Sequence, residues 1–227
     1  MRLYAHKMST TSRPILMFCQ EQDVKFELMV IDLASGEHKQ ENFRQINPNG
    51  MVPVLDDGGF VLTESSAILK YLAEKYASPT YPTELKSRAR INEIMDWFNT
   101  QFYREIAYHV AYPQVFPNQA RESPEENQSI INWGLERTIS LLEVLDGGWH
   151  MLANNDPYLT GVDITIADYL GAELLACGDL IRVNWSRYPN VEHWLTAMKA
   201  RPAWADGHEL IDSYAASLAE KRFLTIE

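Results

Sequence analysis

Short apolar runs and polar turns alternate along the first thirty residues. Residues 2–5, RLYA, are a strand candidate, and the apolar positions within residues 15–19 have the spacing of one helix face. The segment KFELMVIDL, residues 25–33, is typical of a second strand. Because a strand, helix, strand crossover is right-handed and returns in the same direction, the two strands are predicted to be parallel.

The next forty residues predict a short helix, a hairpin and a longer helix. A polar loop leads to a weak helix ending at NPNG, and two apolar runs then flank Asp56–Gly59. Asp and Gly between apolar runs are typical of a tight hairpin turn. The segment TESSAILKYLAEKY, residues 63–76, carries apolar side chains on one helix face. The order βαβ-α-ββα is therefore complete by residue 76.

Beyond this point the pattern becomes helical only. Apolar stripes at spacings of three and four residues run through 91–102 and 131–145, and two more helices are predicted after residue 190. Thr165 and Asp168 have the spacing of a capping box ahead of an apolar run. We expect Asp168 to hold a helix start and so to determine the fold rather than the chemistry.

The change of pattern divides the chain. Residues 79–84 contain Pro79 and Pro82 and are predicted to be a linker. An α/β domain is predicted over residues 1–78 and an all-helical domain over residues 85–227. A chain of 227 residues is long enough for two such domains.

Composition and charge exclude some classes of function. The formal net charge of -11 and the absence of a basic cluster argue against a nucleic-acid partner. No run is long and apolar enough for a membrane span or a visible signal sequence. Cys19 and Cys177 are far apart and the six His have no metal-ligand spacing, so neither a disulfide framework nor a metal is expected. These features predict a cytoplasmic protein.

Four hydroxyl residues, Ser9, Thr10, Thr11 and Ser12, precede the first helix. Such residues are common helix caps, because they satisfy backbone N–H groups that lack partners. A hydroxyl at a helix start can also donate a hydrogen bond to a bound thiolate. A covalent serine nucleophile is disfavoured, since there is no G-x-S-x-G segment. The residues alone leave the first two roles open.

The order of elements and four segments together resemble the soluble glutathione transferases. These segments are STTSR, which is similar to the S-x-x-[CST]-R signature of the serine-type theta, delta and phi classes, then NPNGMVPVLDD, LTESSAILKYLAEKY and YLTGVDITIAD. The resemblance covers nearly the whole chain and suggests a bacterial member. It implies a thioredoxin-like N-terminal domain followed by a helical bundle, a homodimer, and a detoxifying enzyme that uses glutathione as co-substrate with no permanent cofactor.

The resemblance also implies which residues bind glutathione. It assigns the thiolate to the hydroxyl of Ser9, with Thr10, Thr11 and Ser12 as alternatives one to three positions away. Val52 would bind the cysteinyl part through its main chain, with a cis bond to Pro53. The γ-glutamyl end would lie at Glu64 and Ser65, and the glycyl carboxylate at Lys39 with His38. Met51 and Ser66 depart from residues frequent in the family, Gln and Arg, so one hydrogen bond and one cationic contact are expected to be missing.

The electrophile is expected to bind against the helical domain. Aromatic residues are dense after residue 97, and Tyr103, Tyr108 and Tyr112 are the candidates for this pocket. Dehalogenation and peroxide reduction are variants that use the same thiolate. The rival hypothesis is a non-catalytic, ligand-binding or regulatory member, because a fold does not establish an activity. A thioredoxin-type oxidoreductase is disfavoured, as no Cys stands at the first strand-to-helix turn, whereas a glutathione-mediated disulfide reductase stays open.

Overall fold

The computed structural model describes residues 1–148 and 156–227 of the chain. The predicted helical range 85–227 therefore includes seven residues, 149–155, that lie outside the described residues. The N-terminal part is a mixed four-stranded sheet in the order β2-β1-β3-β4. Its strands are β1 (Arg2–Ala5), β2 (Glu27–Val30), β3 (Val54–Asp57) and β4 (Phe60–Thr63). β1 runs parallel to β2 and antiparallel to β3, and β3 and β4 form the hairpin predicted from the Asp/Gly turn.

Helices cover both faces of this sheet. They are α1 (Arg13–Glu21), the short α2 (Glu41–Arg44) and α3 (Ser65–Lys75). Side chains alternate across β1: Leu3 and Ala5 are buried in the main core, whereas Tyr4 packs edge-on against Phe43 of α2 in a smaller cluster. The predicted order βαβ-α-ββα and its thioredoxin-like arrangement are confirmed.

The rest of the described chain is mainly helical, as predicted. Its α-helices are α4 (Leu85–Trp97), α5 (Tyr112–Val115), α6 (Pro124–Asp146), α7 (Ile166–Leu175), α8 (Pro189–Lys199) and α9 (Pro202–Ser217). We call residues 85–148 and 156–227 the helical region. α1 packs against α3 on one side and against α7 and α9 on the other, so a single core continues from the sheet into the helical region.

The stripe at residues 91–102 is buried as expected, but the backbone that follows is not a regular α-helix. Two π-helical segments, Phe98–Phe102 and Arg104–Ala111, connect α4 to α5. A π-helix bonds residue i to residue i+5, so it widens the turn and brings residues five apart onto one face. We call residues 98–111 the π-helical segment, and it borders a cleft between the sheet and the helical region.

The start of α7 has the predicted cap. The carboxylate of the fully buried Asp168 accepts hydrogen bonds from the Thr165 N–H at 2.7 Å and the Thr165 hydroxyl at 2.8 Å. It also accepts from the Leu159 N–H at 2.7 Å and the Trp194 ring N–H at 3.0 Å. Asp168 therefore joins a loop, α7 and α8.

Candidate active site

A cleft of about 520 Å³ lies between the sheet and the helical region. Its walls come from four places in the sequence. They are residues 9–12, which we call the hydroxyl row, the loop before β3, the start of α3 and the π-helical segment. The lining residues are Thr11, Asn47, Asn49, Met51, Val52, Pro53, Thr63, Glu64, Ser65, Asn99, Tyr103 and Tyr108. A second groove, of about 410 Å³ and between α1, β2 and α9, contains none of the predicted site residues.

The four hydroxyls have different surroundings. Thr11 lines the cleft, and Ser9 Oγ is 3.1 Å behind Thr11 Oγ1. Thr10 is buried, where its Oγ1 accepts a hydrogen bond from the Tyr112 hydroxyl at 2.9 Å. Ser12 is also buried, and its Oγ has no hydrogen-bond partner in the part of the chain described. Of the four, Thr11 lines the cleft and Ser9 is in direct contact with Thr11, although Ser9 is not itself a lining residue.

These two hydroxyls differ in the acceptor to which each donates its proton. Thr11 Oγ1 donates its one proton to the Val52 carbonyl at 3.1 Å. In the Ser9–Thr11 pair the donor must then be Ser9, whose Oγ also accepts from the Ser12 N–H at 3.2 Å. The Ser9 proton is the one that can be redirected to a ligand without breaking the contact between Thr11 and Val52.

The loop before β3 presents main chain to the cleft. The Val52–Pro53 peptide is cis, as the resemblance implied. Buried Asn47 holds this loop, because its side-chain amide donates to the Met51 carbonyl at 2.7 Å and its oxygen accepts from the Asn49 N–H at 3.1 Å. Asn47 and Asn49 were not among the predicted site residues, although the N-P-N turn signal was visible in the sequence.

The start of α3 closes the opposite wall. Ser65 Oγ donates to the Thr11 carbonyl at 2.8 Å and so ties this helix start to the hydroxyl row. Glu64, just before the helix, has a backbone φ of 68°. A residue with a Cβ is rarely found there, and such strain is concentrated at functional sites. The unpaired N–H groups of a helix start attract anions.

Lys39 and His38 lie beside the cleft rather than among its lining residues. They belong to a short 3-10 turn, Glu37–Lys39, that packs on the loop before β3. A Cβ on Gly50 would be only 2.9 Å from the His38 carbonyl, so this close approach requires glycine, which also has a φ of 61°. Burial and the charge of Lys39 lower the pKa of His38, whose Nδ1 has no partner among the described residues.

The three predicted tyrosines form one aromatic cluster. Tyr103 and Tyr108 line the cleft with ring centres 5.4 Å apart, and Tyr112 stands behind them. The Tyr112 hydroxyl donates to Thr10 and is 2.9 Å from the Tyr103 hydroxyl, so it links the helical region to the hydroxyl row. Burial raises the pKa of all three phenols, which are therefore neutral at pH 7. Asn99 also lines the cleft and was not predicted.

A charged pair is buried beneath residues 9–12. Arg13, the last residue of the signature, is 2% exposed and pairs with Glu173 of α7 at 2.7 Å. Burial opposes ionisation of Glu173, but Arg13 and His208 outweigh it and hold the pKa of this carboxyl below its ordinary value. Among the described residues there is no cluster of three metal-ligating side chains, and no helix is long and apolar enough to cross a membrane.

Known proteins share both sequence and structure with this chain. Residues 1–74 match the family model described as glutathione S-transferase, N-terminal domain. Human glutathione S-transferase theta-1 is 36% identical over 172 residues, which are 74% of this chain and 69% of that protein. Human theta-2 is 33% identical over 181 residues, 77% of this chain and 70% of that protein.

Solved structures agree over the full length. Human glutathione transferase theta-2, in complex with glutathione and an unknown ligand, superposes with a TM-score of 0.84 at 29% identity and covers 100% of this chain and 93% of that one. The apo form of human glutathione-S-transferase T1-1 gives a TM-score of 0.81 at 28% identity, with 96% of each chain covered.

Proposed function

Since the chain belongs to the glutathione S-transferase family, we propose that its cleft holds glutathione with the sulfur at the hydroxyl of Ser9. The enzyme is a glutathione transferase, and glutathione is its co-substrate. The observation that carries the site assignment is the convergence of Thr11, the cis Val52–Pro53 segment and the Glu64–Ser65 helix start on one cleft.

The two ends of this cleft suit the two ends of the tripeptide. The γ-glutamyl carboxylate would lie at the start of α3, where N–H groups favour an anion, and Glu64 would take the ammonium group. The Ser65 hydroxyl would turn its one proton from the Thr11 carbonyl to this carboxylate. The cysteinyl part would bind the main chain of Val52. Lys39, with His38, would reach the glycyl carboxylate from the turn beside Gly50.

Ser9 would act as a hydrogen-bond donor and not as a base. On binding, its proton would turn from Thr11 to the thiolate, while Thr11 stays bonded to Val52. Lowering a thiol pKa by about two units needs about 2.7 kcal/mol. A hydrogen bond to a charged group supplies about 1.5–3 kcal/mol and the helix dipole about 0.3–1 kcal/mol, so the arrangement is sufficient.

The second substrate would be a hydrophobic electrophile held over Tyr103 and Tyr108, with Tyr112 supporting them from behind. Thiolate and electrophile held together would react faster because orientation is already fixed. Dehalogenation and peroxide reduction would use the same thiolate. The rings of Tyr103 and Tyr108 are the apolar part of a cleft whose other walls are mainly polar, so the electrophile would be held on the side of the helical region.

A titration of glutathione followed at 240 nm, where the thiolate absorbs, tests the proposal. Ser9→Ala should raise the pKa of bound glutathione by about two units, toward that of a free thiol. Thr11→Val is the matched control, and it should change this pKa little, because Thr11 keeps its proton on Val52. The reverse order would assign the thiolate to Thr11, and no binding at millimolar glutathione would reject the site.

The assembly and location are proposed on separate grounds. Phe60 and Val61 are 51% and 44% exposed on the edge strand β4, and exposed apolar edges are normally covered. We place a homodimer contact here, so Phe60→Asp should shift the sedimentation coefficient toward a monomer. Cys19 and Cys177 are free and buried, in keeping with a reducing cytoplasm.

A further inference from the structure

Arg13 holds three successive carbonyl groups of the turn that carries Ser9. Its guanidinium Nη1 donates to the carbonyl of Lys7 at 3.3 Å and to that of Met8 at 3.4 Å. Its backbone N–H donates to the carbonyl of Ser9 at 3.2 Å. The peptide units on both sides of Ser9 are thus fixed by one residue, and they set the direction in which the Ser9 side chain leaves the backbone.

Side chains of the helical region fix the position of Arg13. The Arg13 Nε donates to Glu173 Oε2 at 2.7 Å, and the same oxygen is 2.9 Å from His208 Nε2. All three side chains are at most 4% exposed. His208 of α9 is stacked on Trp204, with ring centres 4.0 Å apart, so its position is also fixed. Neither Glu173 nor His208 lines the cleft.

We propose that Glu173, braced by His208, is a positioning residue for the glutathione thiolate, acting through Arg13 on the turn of Ser9. This inference rests on the proposed function, because it assumes that a hydroxyl of this turn meets the sulfur. It assigns to α7 and α9 a part in setting the reactivity of a ligand that is bound mainly by the N-terminal part of the chain.

The physical reason is the steep geometry of a charged hydrogen bond. Its strength falls quickly with distance and angle, and a site residue must be held within about 0.5 Å of its productive position. Arg13 suits this task because its planar guanidinium presents donors on separate nitrogens in a fixed geometry, whereas a lysine has one rotating ammonium group. Removing the Glu173 charge frees the guanidinium to move away from the carbonyls of Lys7 and Met8.

The chain supplies a matched control at Glu105. This carboxylate is also fully buried and is bonded to Arg104, Arg137 and His109. Its partners all belong to the helical region and none to the turn of Ser9. Glu105→Gln and Glu173→Gln therefore each remove the charge of a buried carboxylate, but only Glu173→Gln loosens Arg13. The two arginine partners of Glu105 are 54% and 45% exposed, whereas Arg13 is 2% exposed.

The experiment measures the thiolate absorbance of bound glutathione at 240 nm against pH in the full chain and both variants. We expect Glu173→Gln to raise the thiolate pKa by about one unit, a tenfold smaller thiolate population at a fixed pH below it. Glu105→Gln should leave this pKa unchanged although it lowers the thermal midpoint. Equal pKa values in folded Glu173→Gln and the native chain would overturn the proposal.

A second pair of variants covers the case in which Glu173→Gln does not fold, since an unpaired buried Arg13 is strongly destabilising. His208→Leu keeps the pair of Arg13 and Glu173 but removes its brace, and should raise the thiolate pKa by a smaller amount. His208→Gln can still donate to Glu173 and should restore it. An unchanged pKa in His208→Leu would then reject the proposal. Native protein that binds no glutathione would instead reject the proposed function.

Discussion

At the scale of the residue, neighbours that look equivalent in sequence have separate tasks. Within the hydroxyl row, Ser9 has the proton that can be redirected, Thr11 ties the turn to Val52 and Thr10 faces the helical region. Ser12 precedes α1 as its cap residue but makes no side-chain capping bond. The pattern of hydroxyls predicted this stretch as part of the site, and the tertiary contacts distinguish the four side chains from one another.

Ser65 gives a prediction at this scale. Ser65→Ala removes the hydroxyl that donates to the Thr11 carbonyl and that would turn to the γ-glutamyl carboxylate when glutathione binds. Because a hydrogen bond to a charged group contributes about 1.5–3 kcal/mol, the Kd for glutathione should rise about tenfold or more. Calorimetric titration measures this. Ser66→Ala, one position along the same helix, is the control and should bind like the native chain.

At the scale of the element, the π-helical segment explains the tyrosine cluster. Tyr103 and Tyr108 are five residues apart, a spacing that places them on different faces of an α-helix. In the wider π-helical turn they share a face, and both line the cleft. The aromatic content of this segment suggested the pocket, whereas its backbone form could not be predicted from apolar periodicity.

The link from α5, which follows the π-helical segment, to the hydroxyl row can be measured. Tyr112→Phe removes the hydrogen bonds to Thr10 and Tyr103 and leaves a buried hydroxyl with one partner fewer. The free energy of unfolding should fall by about 1–3 kcal/mol. Tyr108→Phe is the control, because 38% of this residue is exposed, whereas the Tyr112 hydroxyl is the one that bonds to Thr10. Urea denaturation measures the free energy of unfolding, and equal losses in the two variants would contradict the stabilising role of the Tyr112 hydroxyl.

The cap of α7 gives a second prediction for an element. Asp168→Ala leaves the N–H groups of Leu159 and Thr165 and the ring N–H of Trp194 without their shared acceptor. We expect a loss of several kcal/mol, about 3 or more, or failure to fold. Asp163→Ala, five residues earlier and exposed, should be close to neutral. Thermal melting of the two variants compares them, and similar midpoints would show that the cap contributes little.

At the scale of the whole molecule, the basic side chains around two buried carboxylates, Glu105 and Glu173, favour the ionised form of each. Burial opposes ionisation of Glu105, but hydrogen bonds from His109, Arg137 and Arg104 outweigh it and lower the pKa of this carboxyl. Glu173 is held low in the same way by Arg13 and His208. Because these pKa values are lower in the folded state than in the unfolded state, both groups favour folding above their unfolded pKa, about 4.3.

Because folding lowers both pKa values, the free energy of unfolding should depend on pH in the acid range. The stabilisation should be complete at pH 7 and should be lost as the pH falls from about 5 through the folded pKa values. Glu105→Gln should be less stable than the native chain at pH 7 by about 1–3 kcal/mol, and the difference should shrink below pH 4. Urea midpoints at several pH values measure this, and a difference that is independent of pH would contradict the assigned cause.

The order of elements and the location of the site could be predicted because they depend on local signals. Apolar periodicity, the Asp/Gly turn, the capping box of Asp168 and the segments around Ser9, Val52 and Glu64 are all continuous in sequence. Each acts over a few residues, and together they predicted the thioredoxin-like part, the helical part and the use of glutathione.

Other features arise only when distant segments meet. The helical region contacts the hydroxyl row through Thr10 with Tyr112 and through Arg13 with Glu173, pairs that are 102 and 160 residues apart. No periodicity predicts such a pair, because its geometry depends on how α1 packs against α7 and on where the tertiary structure places α5. The sequence by itself thus determined that a hydroxyl precedes α1, and only the tertiary structure decided which proton can be redirected to a ligand and what holds its side chain in place.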